Sequence, residues 1–349
     1  MLKPRSLPQT GLDALLHRPR PSAWEQFLAQ PCLFLARKLY VFHTPTIYPI
    51  SHPTQRVVVV CISDTHNSQP KLPSGDVLIH AGDLTQSGTL AELQTTLAWL
   101  RSQPHPVKIV VAGNHDLLLD PSCDSTTARH VATGGSTAAE QRASLDWGDL
   151  VYLENRTVTV TCPNGRQLRV HGSPLTPKHG NWAFQYPRGA DNVWRTEDQE
   201  TDDKNDKNDN DDNESPYASS GIIPKYVDVL ITHGPPKGHL DLTQGLGCEG
   251  LMGALWRARP QLHVFGHVHE GAGVESLRYD EVQRAYEKTV VEGGGVWNLV
   301  GVLVPAVWGW LWSSTPVGFK KRVRTLLVNA AVVGGLRDQE RRKPVIVVI

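Results

Sequence analysis

"RVVVVCISDTH", residues 56–66, is the stretch that decides the fold. Val57–Val60 and Ile62 make a run of branched apolar side chains with no polar alternation before Ser63. Such a run reads as a strand buried on both faces, the kind found in layered α/β folds. It stops at Asp64, Thr65 and His66. A carboxylate and an imidazole at the end of a buried strand need polar or cationic partners.

The pattern repeats outward from there. "DVLIHAG" (76–82) is a second strand and is followed by Asp83. "TLAELQTTLAWLRSQ" (89–103) places apolar residues at helical spacing, with Thr89 as its cap. "VKIVVAG" (107–113) is a third strand and leads into Asn114, His115 and Asp116. Strand, strand, helix, strand predicts an α/β layered fold with its active loops at the carboxyl ends of the strands. Further strands are expected at "RQLRVHGS" (166–173), "YVDVLITHG" (226–234) and "QLHVFGH" (261–267), with a helix at "CEGLMGALWRAR" (248–259). The strand-like "TLLVNAAVV" (325–333) and "KPVIVVI" (343–349) are expected to join the sheets.

Two regions are divided from this core. Residues 1–55 read as a loosely structured N-terminal extension rich in Pro and His. Its "QPCLFLARKLYVF" (30–42) is too short to cross a bilayer and is expected to dock as a helix. The domain itself is read as 56–349, with two insertions. "TEDQETDDKNDKNDNDDNES" (196–215) buries no apolar surface and is expected to be a disordered acidic loop. The second insertion, 280–324, is apolar and Trp-rich, with "GGGVWNLVGVLVPAVWGWLWSS" (293–314) followed by "KKRVR" (320–324). Pro305 interrupts it. Two readings stay open: a helix packed on the domain, or peripheral contact with a membrane surface through 293–324.

The 349 residues carry 35 Lys and Arg against 35 Asp and Glu. That neutral balance gives no support for a specific nucleic-acid binder. The five cysteines are scattered and form no CxxC pair, which argues against a structural zinc ribbon and fits a reducing compartment. There is no apolar secretory stretch near residue 1. An intracellular, cytoplasmic location is the expectation.

The chemistry collects at the strand ends. Asp64 and His66, Asp83, Asn114 to Asp116, His233, and then His267 and His269 each follow a strand, most with a Gly alongside. Carboxylate, amide and imidazole ligands without thiolate suit Mn, Fe or Zn ions. The set is too large for one four-coordinate ion. Two ions sharing a carboxylate, about 3.5–4 Å apart, would account for it and would clamp a displacement at phosphorus.

"DTH", "GD", "GNHD", "THG" and "GHVH" occur in the order of the five motif blocks of the calcineurin-like metallophosphoesterase superfamily, which residues 56–275 resemble. "GSPLTPKHGNWAFQYPRG" (172–189), "THGPPKGHLD" and "HVFGHVHEGAG" are similar to its metallophosphoesterase-domain-containing subfamily, itself similar to class III cyclic-nucleotide phosphodiesterases. The resemblance implies a four-layer α/β/β/α sandwich of two mixed sheets flanked by helices. It implies one metal held by Asp64, His66 and His269, a second held by Asn114, His233 and His267, and Asp83 bridging them with an attacking hydroxide. It implies that Asn114 and His115 meet the scissile phosphate and that Asp116 orients His115. The implied activity is metal-dependent phosphoester hydrolysis, on small phosphodiesters of nucleotide type. The alternatives are a phosphomonoesterase or protein phosphatase, and a non-catalytic nucleotide- or membrane-binding module. Gln86 departs from the Asp or Asn found at its place in many members, and is expected to tune the surroundings of the site by hydrogen bonding.

Other residues weigh less. Asn67 reads either as a substrate ligand or as a turn former. His80, His171 and His179 read as structural, and His263 is left open. Trp182, Phe184 and Tyr186 form an aromatic wall for a base or, by preference, the core of their segment. Arg188 is a phosphate contact or an exposed loop residue.

Overall fold

The computed structural model describes residues 22–43, 55–123, 136–190, 193–194, 222–242, 246–313, 324–334 and 339–349. The acidic insertion 196–215 lies outside the described residues, as does most of the basic run at 320–324. In chain order the elements are α1 (Ala23–Ala29), α2 (Pro31–His43), β1 (Val58–Ile62), β2 (Val77–Ala81), α3 (Leu90–Arg101), β3 (Val107–Val111), α4 (Ala138–Ala143), β4 (Leu150–Leu153), β5 (Arg156–Thr161), β6 (Gln167–Ser173), β7 (Thr176–Pro177), β8 (Gln185–Tyr186), β9 (Val229–Thr232), α5 (Glu249–Ala258), β10 (Leu262–Phe265), β11 (Gly273–Leu277), α6 (Glu281–Val291), α7 (Val296–Ser313), β12 (Thr325–Asn329), β13 (Val333–Gly334), β14 (Glu340–Arg341) and β15 (Val345–Val348).

Two mixed sheets carry the fold. One has the order β15-β1-β2-β3-β4, the other β11-β12-β10-β9-β6-β5. β1 to β4 run parallel, and β15 closes the first sheet antiparallel to β1. In the second sheet β12, β10, β9 and β6 run parallel between antiparallel edges β11 and β5. The strand-like segments near 325–333 and 343–349 do enter the sheets, as β12 and β15.

β1 shows why its sequence is apolar throughout. Val59 and Cys61 belong to one buried cluster, with Ile79, Val111, Val170, Ile231 and Val264 from both sheets. Val60 and Ile62 belong to another, which includes Leu93, Leu97 and Leu100 of α3 and Leu251 and Leu255 of α5. Alternate residues therefore serve the sheet-to-sheet core and the sheet-to-helix core. α3 starts as its sequence predicts: Thr89 and Glu92 form a capping box, each side chain bonded to the other's backbone nitrogen.

Residues 22–43, within the expected loose extension, form α1 and α2. Leu33, Ala36 and Tyr40 of α2 are buried with Val282, Tyr286 and Val290 of α6 and Val302 of α7. Tyr40 stacks on Tyr286 with ring centroids 4.2 Å apart. The apolar insertion is thus two helices, α6 and α7, and one side of α7 packs against the rest. No helix among the described residues is long and apolar enough to cross a membrane.

The parallel strands put the carboxyl ends of β1, β2 and β3 beside those of β9 and β10. Backbone bonds tie these ends together: Asp64 N donates to Gly82 O (2.9 Å), Gly266 N to His233 O (2.9 Å) and Ser63 N to Ala330 O (2.9 Å). The site is built on that shared edge.

Candidate metal centre

Asp64, His66, Asp83 and His269 form one group able to hold a metal ion, and Asp83, His233 and His267 form a second. Within each group the ligand atoms all lie within 4.8 Å of one another. Asp83 belongs to both. The two histidines of "GHVH", one residue apart, fall into different groups, so a single tight turn supplies both sites.

The backbone at these positions is bent for the purpose. Asp64, His66, Asn67, Asp83 and His267 all have positive φ, between 43° and 67°. That region costs a residue with a side chain roughly 1 kcal/mol or more, and it clusters at functional sites. Gly113 keeps the β3 end close: a side-chain carbon there would stand 2.2 Å from Asp83 Oδ1.

Hydrogen bonding shows what the cluster lacks. His233 Nδ1 donates to Ala81 O at 2.9 Å. In the neutral ring that turns the Nε2 lone pair toward Asn114 Oδ1 at 3.0 Å and Asp83 Oδ2 at 3.3 Å. Three acceptors then face one another. His66 Nε2 and His269 Nε2 stand 3.3 Å apart, with Asp64 Oδ1 3.2 Å from His269 Nε2 and Asp83 Oδ2 3.7 Å from His66 Nε2. Asp64 and Asp83 are buried, and among the described residues no lysine or arginine pairs with either. Buried carboxylates without such partners need positive charge. The donor set, carboxylate oxygen and neutral imidazole nitrogen, fits two divalent metal ions.

The electrostatics agree. Burial alone would raise the Asp64 pKa, but His269 and His233 outweigh it and hold it at about 2. Asp83 is held well below the usual range, as burial is outweighed by His233, His115 and His66. Burial would lower the His233 pKa, and Asp83 outweighs it, raising it to about 9, so that with no metal bound a proton on His233 meets the carboxylate's demand for positive charge, and a metal ion would displace that proton. Burial, with His233 nearby, lowers His267 to about 3 and leaves its imidazole neutral, the form that binds metal.

His115 lies beside the cluster, its ring 4.7 Å from that of His66 and edge-on to it. Its backbone N donates to Asp83 Oδ1 at 2.8 Å. Asp116 does not orient it. The Asp116 carboxylate is fully buried and accepts from Gly113 N (2.8 Å), Leu84 N (3.2 Å), Thr85 N (3.0 Å) and Thr85 Oγ1 (2.7 Å). It fastens the β2 loop to the β3 loop. The partner of His115 Nδ1 is Gln86 O, at 2.8 Å. Gln86 therefore acts through its main chain, which any residue type supplies, and its side chain is exposed.

The remaining candidates separate cleanly. Asn67 donates its amide to Glu92 Oε1 at 2.6 Å, the acid that caps α3. His80, His171 and His263 are buried against Thr65, Thr157 and Thr232. His179 is exposed. Phe184 and Tyr186 are core, whereas Trp182 is 37% exposed and stacks on His115, ring centroids 4.2 Å apart at 28°. Ala183 N donates to Asn114 O at 3.0 Å and pins that loop to the site. Arg188 bonds Lys178 O. Sequence reasoning missed Thr85 and the Gln86 carbonyl, for which no residue-type signal exists.

Comparison with known proteins comes to the same place. A family model described as calcineurin-like phosphoesterase matches residues 57–271. The human metallophosphoesterase domain-containing protein 1 is 35% identical over 250 residues, 66% of this chain and 68% of that protein. A UPF0046 protein of Caenorhabditis elegans is 33% identical over 239 residues, 63% of this chain and 53% of that protein. A protein of Emericella nidulans named probable rhamnogalacturonate lyase C is 43% identical over 343 residues, 97% of this chain. The chain spans only 29% of that protein's length.

Proposed function

The chain belongs to the calcineurin-like phosphoesterase family, and we propose that it is a phosphodiesterase acting on small substrates of nucleotide type. That it is a metal-dependent phosphoric ester hydrolase follows from the family. The observation that carries the finer reading is the pair of ligand groups sharing Asp83, with an aromatic platform beside them.

In this reading Asp64, His66 and His269 would hold one ion and Asn114, His233 and His267 the other, with Asp83 placed to serve both. Ions held there would supply activation of water near neutral pH and positive charge for the phosphate oxygens. His115 presents Nε2 toward the leaving oxygen, because Gln86 O holds Nδ1. A protonated His115 delivers a proton there. The exposed part of Trp182 offers a flat apolar surface to a nucleobase or aryl group, the feature that favours a nucleotide diester over inorganic or protein phosphate. The scattered cysteines favour a reducing, cytoplasmic setting.

The test is hydrolysis of bis-p-nitrophenyl phosphate against p-nitrophenyl phosphate with Mn²⁺. Diester turnover exceeding monoester turnover, and lost in Asp83→Ala, is the expected result. Monoester preference would instead identify a phosphatase. A folded, metal-loaded protein with no turnover would identify a binding module.

A further inference from the structure

The turn that carries His269 is held by two residues, Asn329 and Arg342, that belong to none of the five motif blocks. Among the four members of its metal group, His269 has the most exposed side chain, 22% against 3% or less for Asp64, His66 and Asp83. Burial fixes the other three, whereas the place of His269 depends more on the main chain of its turn. Two carbonyls of that turn each accept from an amide just ahead in the chain, Val268 O from Gly271 N at 2.9 Å and His269 O from Ala272 N at 3.1 Å. Each also accepts from a side chain far along the sequence. Asn329 Nδ2 donates to Val268 O at 2.9 Å, and Arg342 Nη1 donates to His269 O at 2.6 Å.

The arginine is itself built in. Its Nη1 also donates to Val333 O at 2.7 Å, and its Nη2 donates to Glu340 Oε2 at 3.0 Å and Glu270 Oε2 at 3.4 Å. A planar cationic fork that serves several acceptors at once has little freedom to turn. Gly334 leaves room for it: a side-chain carbon there would stand 2.2 Å from Nη2. The β13–β14 pair that presents Arg342 is anchored beside another member of the same metal group. Ser63, next to Asp64, donates its N to Ala330 O and accepts at its O from Val332 N, and Arg342 N donates to Val332 O at 2.7 Å. The pair thus ties the end of β1 to the His269 turn, where Asp64 Oδ1 and His269 Nε2 stand 3.2 Å apart.

We propose that Arg342, with Asn329 beside it, is a positioning residue for the metal centre. It fixes the main chain at His269 so that the imidazole stays within reach of an ion shared with Asp64 and His66. The proposal rests on the assignment of those three residues to one ion. Groups that hold metal ligands in place typically change metal affinity by about 10- to 100-fold when removed. The effect belongs to the His269 group. In the other group His233 bonds Ala81 O through Nδ1, and His267 N donates to Asp64, so neither depends on the arginine.

Equilibrium dialysis of the full chain against Mn²⁺, beside thermal unfolding of the chelator-treated protein, tests this. The parent should bind two ions. Arg342→Gln should hold one with the parent's affinity and the other about 10- to 100-fold more weakly. Arg342→Lys keeps a cation that donates to His269 O but loses the fork, and should weaken the same single ion by less. Both chelator-treated variants should still unfold in one cooperative transition, which makes the lost affinity local. Where Arg342→Gln fails to fold, Arg342→Lys decides. Two ions bound as tightly as by the parent would overturn the proposal. So would equal weakening of both ions, the mark of a general loosening of the fold. A parent that binds fewer than two ions would instead overturn the assignment of the metal groups, and the positioning role with it.

Discussion

Gly266 has a hydrogen where any other residue would set a carbon 2.0 Å from Asp64 Oδ2 and 2.1 Å from Ser63 Oγ. The contact is with a buried carboxylate that cannot swing away, because both its oxygens accept from His267 N at 3.0 and 3.1 Å. Gly266→Ala should therefore leave a folded protein that retains less Mn²⁺ after dialysis than the parent, read by metal analysis beside circular dichroism. His115 and Asp116 are neighbours with separate jobs, and their variants should separate. His115→Asn should lower kcat by about 10²- to 10⁴-fold with metal content and melting temperature unchanged. Asp116→Asn turns one acceptor oxygen into a donor facing backbone N–H groups, and should cost about 2–3 kcal/mol in urea unfolding. A drop in kcat with no loss of stability in Asp116→Asn would mean that the carboxylate serves His115 after all.

At the scale of elements, α3 depends on one acid. Glu92 accepts from Ser87 N, Thr89 N, Thr89 Oγ1 and Asn67 Nδ2, so it closes the cap and ties the loop after β1 to the helix. Glu92→Ala should lower stability by about 1–2 kcal/mol, with amide exchange quickened first at 90–93. The sequence announced this helix through Thr89 and its spacing, and it announced β1, β2, β3, β9 and β10 through runs dominated by branched apolar residues, broken only by His80, Lys108 and His263 within β2, β3 and β10. The same segments lead straight into Asp64, Asp83, His233 and His267, which is why these members of the two candidate metal groups stand out in the sequence. Elements with weaker patterns do not. β5, Arg156–Thr161, is an edge strand with several exposed side chains, and its alternating valines and threonines stand outside the buried runs. α6 repeats Val282, Tyr286 and Val290 at helical spacing, but it lay hidden in the insertion that its apolar neighbour α7 dominates. The task of Asp116 was not legible for another reason. Its partners come from the β2 loop, and only the closed sheet brings them near.

For the whole molecule, the N-terminal helices and the C-terminal strand both complete the body that carries the site. α2 covers a buried charge: His239 bonds Glu275 Oε1 at 2.6 Å through Nδ1 and Glu287 Oε1 at 3.1 Å through Nε2, with Tyr40 and Tyr286 edge-on to its ring. Gln283 and Trp256 donate to the same Glu287 carboxylate, and Asp241 is nearby. Burial would lower the His239 pKa, and the two glutamates outweigh it and raise it to about 10. An unfolded histidine titrates near about 6.5. The stabilisation is thus complete below pH of about 6.5 and is lost as the pH rises toward about 10. Urea midpoints should fall between pH 7 and pH 9 in the parent, by more than in His239→Gln. An equal fall in both would assign the pH dependence elsewhere.

The central claim is a pair of metal sites that share Asp83, and metal stoichiometry tests it most directly. Equilibrium dialysis of the full chain against Mn²⁺, after stripping with a chelator, should give two ions per chain, with Asp83→Ala losing affinity at both sites. One ion per chain in the parent, or two ions bound equally well by Asp83→Ala, would contradict the shared carboxylate and the reaction built on it.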